Sequence, residues 1–374
     1  MDQVRLGVIG CGMMAHAHIK YFPDIPRLKF TAAADPKQHV VDKLAEDHGV
    51  TPYTSGEELL ASGEVDAVLI ATPHYHHPVF GISALRKGIH VLSEKPIAVT
   101  AKAAAEMNAV AAEHSDLIYA AMFQQRTIGN YQVVKKLIDD GELGEIQRVQ
   151  WTITDWFRTQ AYYNSGSWRA TWAGEGGGVL LNQCPHNLDM LIHLTGRPSN
   201  VHAHVALGKY HDIEVEDEVT AYLEYPNGAT GVFITTTGEA PGSNHLEIAG
   251  DRGRITVAEG KVAFKQTEVS VREFLRNSEE LFTSPPSETR DLTAEKKGGA
   301  HKQITENFIE AILDGTPLIA PADEGLHSVE LANAMLMSGL TGQSVPMPMD
   351  RDAFDEMLKD LIRKSPKSVP SYAT

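Results

Sequence analysis

Apolar, largely β-branched runs at Val4–Ile9, Leu28–Ala34, Val65–Ala71, Ile89–Leu92 and Leu117–Ala121 alternate with stretches of helical spacing such as Gln38–His48 and His76–Lys87. Near-continuous apolar strands alternating with helices predict a parallel sheet covered on both faces. The pairs Thr54/Glu57 and Ser55/Glu58 each match a capping box and predict a helix start there. From about residue 145 the pattern changes to strands with few helices: Glu145–Asp155, Val201–Gly208, Glu218–Tyr225, Ala229–Thr237, His245–Ala249 and Arg254–Ala258. Asn227-Gly228 and Asp251-Arg252-Gly253 stand between successive strands and predict hairpins, hence an antiparallel sheet. A helix is predicted at about Leu181–Leu194, a long loop over 276–299, and helices at Gln303–Leu313, Glu324–Ser338 and Ala353–Arg363, with a mobile tail after Lys364. No internal repeat is visible. The change of pattern divides the chain into residues 1–124 and 125–374.

The 374 residues are enough for two or three domains without staples, and 42% hydrophobic with 22% charged residues is ordinary globular composition. The formal net charge of −16 disfavours nucleic acid and anionic membranes as partners, while leaving local phosphate binding by backbone amides open. Cys11 and Cys184 form no disulfide framework, no apolar stretch approaches a membrane span, and the start of the chain lacks a signal-peptide pattern. A soluble, cytoplasmic protein is expected.

The first strand runs into Gly10-Cys11-Gly12-Met13-Met14-Ala15, a G-x-G-x-x-A loop opening a helix. The first glycine permits the tight turn, the second admits a pyrophosphate to the backbone, and the small third residue lets helix pack on strand. Asp35 ends the second strand, about 20 residues further on, where a carboxylate accepts from the adenosine ribose hydroxyls. It also repels a 2′-phosphate, so NAD is expected rather than NADP, although Lys37 lies near.

Glu94-Lys95-Pro96 follows the strand Ile89–Leu92, on the edge where open α/β sheets bind ligands. Further on, Gly176-Gly177-Gly178 leads to Asn182, His186, Asp189 and His193, whose spacings put them on one face of the predicted helix. All 4 Trp lie in one window, Trp151, Trp156, Trp168 and Trp172, interleaved with Phe157, Arg158, Tyr162, Tyr163 and Arg169. Aromatic faces and neighbouring polar groups suit a carbohydrate site. Trp151 alternates with Val149 and Ile153 and reads as sheet core or oligomer interface; Trp156, Arg158, Tyr163 and Arg169 read as substrate-site residues.

The ordered set of the glycine loop, Asp35, Ala71-Thr72-Pro73 with His77, Glu94-Lys95-Pro96, Trp168-Arg169 and Gly176–Asp189 resembles the Gfo/Idh/MocA oxidoreductases. The resemblance implies an N-terminal Rossmann domain, then an α/β domain with a large open, mostly antiparallel sheet for substrate and oligomer contacts, in a dimer or tetramer. It implies hydride exchange between NAD and a secondary alcohol of a sugar, glycoside or cyclitol, with Lys95 and His186 as the catalytic pair. Asn182 stands where many members carry Asp, and it can only hydrogen-bond. His186 is expected as general base and Lys95 as the donor to the developing alkoxide, although the roles could be exchanged. Gly10, Gly12, Met13, Met14, Asp35, Thr72, Pro73, His74, His77, Glu94, Lys95, Gln125, Trp168 and Arg169 are expected around the cofactor. Lys95, Trp156, Arg158, Tyr163, Arg169, Asn182 and His186 are expected around the substrate. No metal is expected: His74-Tyr75-His76-His77 lacks a Cys or carboxylate at ligand spacing, and Cys184 reads as a small buried thiol. Two rival readings share the motifs, an NAD-dependent glycoside hydrolase working by transient C3 oxidation and a non-catalytic NAD-binding regulator.

Overall fold

The computed structural model describes residues 2–365, so the tail expected to be mobile lies, from residue 366 on, outside the described residues. The first sheet is formed by β1 (Val4–Ile9), β2 (Leu28–Ala34), β3 (Thr51–Tyr53), β4 (Ala67–Ile70), β5 (His90–Ser93) and β6 (Tyr119–Ala121). All its pairings are parallel and the order is β3-β2-β1-β4-β5-β6. The order reverses between β1 and β4, which opens a ligand crevice at their carboxyl ends. β3 escaped the sequence reading because three residues including a proline carry no periodicity. The helix Gly56–Ala61 starts where the capping pairs predict, but neither box forms: Ser55 makes no side-chain cap bond, and Glu57 instead accepts from Ser83 and Lys87.

The second sheet is larger. It consists of β7 (Ile146–Ile153), β8 (Asn200–Leu207), β9 (Glu216–Glu224), β10 (Thr230–Thr236), β11 (Asn244–Gly250), β12 (Gly253–Ala258), β13 (Lys261–Thr267), β14 (Ser287–Asp291) and β15 (Val345–Pro346). The order is β14-β13-β12-β11-β7-β10-β9-β8-β15, antiparallel except for the β7–β10 pair. Both expected hairpins form, β9–β10 around Asn227-Gly228 and β11–β12 around Asp251–Gly253. The helix Gly325–Thr341 packs on β8 and on the helix Pro185–Thr195. On β9 the burial alternates, leaving Tyr222 exposed on the far face.

Two expectations need correction. The predicted helix from Leu181 begins only at Pro185, and residues 176–184 form turns. The buried Glu216 carboxylate accepts from the amides of Gly178 and Leu180, and the Glu216 carbonyl accepts from Val179, so this backbone is clamped to the start of β9. Gly178 permits that approach, since a Cβ there would overlap the Glu216 carbonyl. Asn182 therefore lies outside the helix. The expected loop over 276–299 contains β14, a polar edge strand that extends the sheet beyond β13.

The core of the first sheet also takes in Ile304, Phe308, Ile309 and Ala322, because the helix His301–Asp314 returns to pack against it. Trp151 is fully buried in the second core, as its alternation predicts. Among the described residues no helix is long and apolar enough to cross a membrane.

Candidate active site

The glycine loop sits at the carboxyl end of β1. Gly10 has φ +92°, and a Cβ there would lie 2.7 Å from the carbonyl oxygen of Ala71, so no other residue fits without displacing the end of β4. A Cβ on Gly12, by contrast, would project into open space, and Met13 and Met14 beside it are exposed. Asp35 stands across the crevice: Oδ2 accepts from the Cys11 amide at 3.0 Å and Oδ1 from the Lys37 amide at 3.0 Å. Each oxygen keeps a lone pair for a ribose hydroxyl. The open cradle over Gly12 and the half-buried carboxylate at the end of β2 fit a dinucleotide.

Lys95 follows β5 and its Nζ donates to the backbone carbonyl of Asn182 at 2.8 Å, joining the first sheet to the turn before the helix Pro185–Thr195. Burial lowers the Lys95 ammonium pKa, although Glu94 and Glu175 pull it upward. His186, also buried, is pushed well below the ordinary histidine value, first by burial and then by Lys95, so it is neutral at pH 7. Its Nε2 stands 3.2 Å from the Gln124 side-chain nitrogen, while its Nδ1 and Gln124 Oε1 are buried without a partner. Orphaned polar atoms in a site are the natural bonding points of a ligand.

Glu94 carries the cofactor edge inward. Its Oε2 accepts from the Lys95 amide and its Oε1 lies 2.7 Å from His18 Nε2. Burial alone would raise its pKa, yet His18, Lys95 and His301 outweigh that and hold the carboxyl well below the usual range. His18, Glu94 and His301 bring one potential ligand atom each within 4.8 Å of one another. This cluster was invisible in the sequence, where its members are far apart.

The structure redistributes several expected site residues. Tyr163 is buried and spends its hydroxyl on Thr237 Oγ1 at 2.8 Å; its neighbour Tyr162 takes the site position. The Tyr162 hydroxyl accepts from Arg169 Nη1 at 2.9 Å and lies 3.4 Å from Asn182 Oδ1. Adjacent residues of the short helix Gln160–Tyr163 point about 100° apart, so only one can face the site. Trp156 bonds Asn187 Oδ1 through Nε1, and the Arg158 guanidinium lies over the rings of Trp156 and Tyr162. Arg169 lies over Trp168 and Tyr162. His77 is spent on structure, its ring nitrogens reaching the carbonyls of Pro96 at 2.7 Å and Thr72 at 2.8 Å; this ties the turn after β4, with Thr72 and Pro73, to the turn after Lys95. His74 meets the Glu175 carbonyl at 3.3 Å and the edge of Trp168. Gln125 Oε1 accepts from Asn187, and Gln124 is the neighbour of His186.

The expected one-face stripe breaks up. Asp189 is a buried bidentate partner of Arg126, at 2.8 and 2.5 Å, and His193 lines a separate groove with Arg126, Tyr131 and Gln132. Cys184 is buried with Sγ 3.0 Å from Thr235 Oγ1, and burial pushes its pKa up to about 12, which makes it inert.

A buried carboxylate in this half of the site, Glu175, is not legible in the sequence. Glu175 is buried between glycines; Oε2 accepts from the Ala170 amide at 2.5 Å, Oε1 accepts from Asn182 Nδ2, and Arg169 Nη1 stands 3.8 Å away. Burial pushes its carboxyl up to about 7 against the pull of Ala170, Arg169, Asn182 and Lys95. A glutamate in a glycine-rich run reads as solvated loop, and only the folded chain shows what covers it.

Two family models match along the chain. Residues 4–122 match the oxidoreductase family with an NAD-binding Rossmann fold, and residues 131–256 match the GFO/IDH/MocA C-terminal domain. The chain belongs to the GFO/IDH/MocA oxidoreductase family. It is an NAD-binding oxidoreductase. It is 26% identical to levoglucosan dehydrogenase of Pseudarthrobacter phenanthrenivorans, over 93% of this chain and 99% of that one. It is 25% identical to inositol 2-dehydrogenase of Rhizobium meliloti, over 90% and 96%. The crystal structure of the WlbA dehydrogenase from Bordetella pertussis with NADH and UDP-GlcNAcA superposes with a TM-score of 0.77 at 27% identity, covering 93% of this chain and all of that one.

Proposed function

We propose that this GFO/IDH/MocA member is an NAD-dependent dehydrogenase of a secondary alcohol in a sugar, glycoside or cyclitol. The observation that carries the reading is the bond from Lys95 to the Asn182 carbonyl, with His186 close enough for the Lys95 charge to lower its pKa, beside the carboxyl edge that also holds the glycine cradle. The rim of Trp156, Tyr162 and Trp168 with Arg158 and Arg169 supports a polyhydroxylated substrate, whose C–H faces lie on aromatic rings while hydroxyls meet polar groups.

Bound NAD⁺ supplies the hydride acceptor. The hydroxyl proton must leave as the hydride does, and the pKa directions support giving this step to Lys95 and exchanging the roles expected from sequence. Burial lowers the lysine from its ordinary value and so eases its work as a base, whereas an imidazole pushed well below its ordinary value is a weak base. The substrate hydroxyl donates its proton to Lys95 Nζ, and the resulting ammonium is held by the Asn182 carbonyl and the nearby Glu94 and Glu175 carboxylates. Neutral His186 orients the same oxygen from the other side. The division 1–124 and 125–374 then puts the glycine cradle and Asp35 in the first part and, Lys95 apart, the substrate groups in the second, and the open face of the second sheet bearing Tyr222 joins copies in a homo-oligomer, dimer or tetramer. Two buried free cysteines suit the reducing cytoplasm. The test is NADH formation on mixing protein, NAD⁺ and single polyols, with light scattering after gel filtration for the assembly.

A further inference from the structure

Asn182 is gripped at two points. Its backbone carbonyl takes the Lys95 ammonium at 2.8 Å, and its side-chain Nδ2 donates to the buried Glu175 carboxylate. An ionised carboxylate can only accept, so it admits a single orientation of the amide: Nδ2 toward Glu175 and Oδ1 toward Tyr162, where the hydroxyl lies at 3.4 Å. Glu175 is itself fixed, because its other oxygen holds the Ala170 amide and the Ala170 backbone has φ +50°.

We propose that Glu175 is a positioning residue of the dehydrogenase site: its carboxylate locks the Asn182 amide with Oδ1 on the Tyr162 side, where the second lone pair of that oxygen is left to accept from a substrate hydroxyl. The inference rests on the dehydrogenase reading above. Protonation of Glu175 on Oε1, the oxygen not taken up by the Ala170 amide, reverses the arrangement. A carboxyl O–H facing Nδ2 sets donor against donor, and the amide turns to offer Oδ1 inward and Nδ2 to the substrate, where a hydroxyl must then accept. Acid thus weakens substrate binding through Glu175 and Asn182, separately from any proton transfer at Lys95.

The charged and titratable groups facing Glu175 are Arg169 and Lys95, which favour the carboxylate, and Glu216, which opposes it. Tyr163 packs nearby, and His74 bonds the Glu175 carbonyl while burial holds its ring neutral. The carboxyl, raised to about 7 chiefly by burial, therefore changes state within the working range.

The experiment is steady-state kinetics from pH 5.5 to 9 on wild type, E175Q, N182A and the double variant. The probe is whichever of levoglucosan, inositol, methyl glucoside and glucose gives most NADH. The expected result is a wild-type KM that rises at least fivefold from pH 8 to pH 6 with a smaller change in kcat. E175Q should raise KM at pH 8 by ten- to a hundredfold and flatten its pH dependence, NADH binding should be unchanged, and the double variant should be no worse than N182A. A KM in E175Q within twofold of wild type with the same pH dependence overturns the inference, as do effects of E175Q and N182A that multiply. If E175Q does not fold, loss of the KM pH dependence in N182A supports the inference and its retention overturns it. A wild type inactive on every probe overturns the dehydrogenase reading instead. Difference infrared spectra between wild type and N182A then decide this point: a side-chain amide band that shifts as a buried carboxyl protonates supports it, and a band indifferent to pH overturns it.

Discussion

Lys95 Nζ donates to the Asn182 carbonyl at 2.8 Å, a bond that closes the gap between the carboxyl end of β5 and the turn preceding the helix Pro185–Thr195. Through it Lys95, the proposed acid–base group on the first sheet, is set in register with the residues proposed to meet the substrate. Lys95→Met should lower kcat by about 10²–10⁴-fold, the usual range for losing a general acid–base group, while NADH affinity stays within a few fold. Turnover together with tryptophan-fluorescence titration of NADH separates the two.

Tyr162 and Tyr163 should divide their effects. Tyr163→Phe leaves Thr237 Oγ1 buried without its partner and should cost about 1 kcal/mol of stability in urea unfolding, with little change in KM. Tyr162→Phe removes a hydroxyl bonded to Arg169 and near Asn182; stability should hold and KM should rise several fold.

Cofactor choice rests on Asp35. Replacing it with Ser removes the charge facing a 2′-phosphate and leaves an oxygen for the Cys11 amide. The ratio of kcat/KM for NADP⁺ over NAD⁺ should rise at least tenfold, measured at fixed alcohol concentration.

Stability should fall on acidification. His74, His77, His186 and His193 have folded pKa values below the unfolded value near 6.5, lowered chiefly by burial, to about 3 for His74 and about 4 for His193. The unfolded chain therefore binds more protons below pH 6.5, and the stability present above that pH is lost as pH falls toward the folded values. Glu175 and Glu216, both raised to about 7, act in the opposite sense between pH 4.5 and 7 but are fewer. Calorimetry should show a Tm that drops from pH 7.5 to pH 5, and E216Q should make the drop steeper.

The readable parts of the chain were those with local periodicity or a steric rule. Gly10 and Asp35 could be placed because a positive-φ turn and a strand end fix their neighbours, and the hairpin at Asn227-Gly228 for the same reason. β14 was missed because Ser287–Asp291 has no apolar face; it forms only because the edge of β13 is open to pair with. The helix starts at Pro185 and not at Leu181 because Glu216, some 35 residues later, holds the amides of Gly178 and Leu180 and fixes the backbone leading into it as turns. Gln124 enters the site through a partner distant in sequence, His186, while Glu175 and Tyr162 meet near neighbours in a stretch of turns whose path no spacing rule fixes.

The most direct test of the central claim is absorbance of NADH as the protein is mixed with NAD⁺ and a panel of sugars, glycosides and inositols, alongside aryl glycosides whose released phenol is read separately. The account predicts stoichiometric accumulation of NADH and ketone with at least one free polyol, abolished in Lys95→Met. Release of the phenol without net NADH, or a panel blank throughout with cofactor bound, would contradict it.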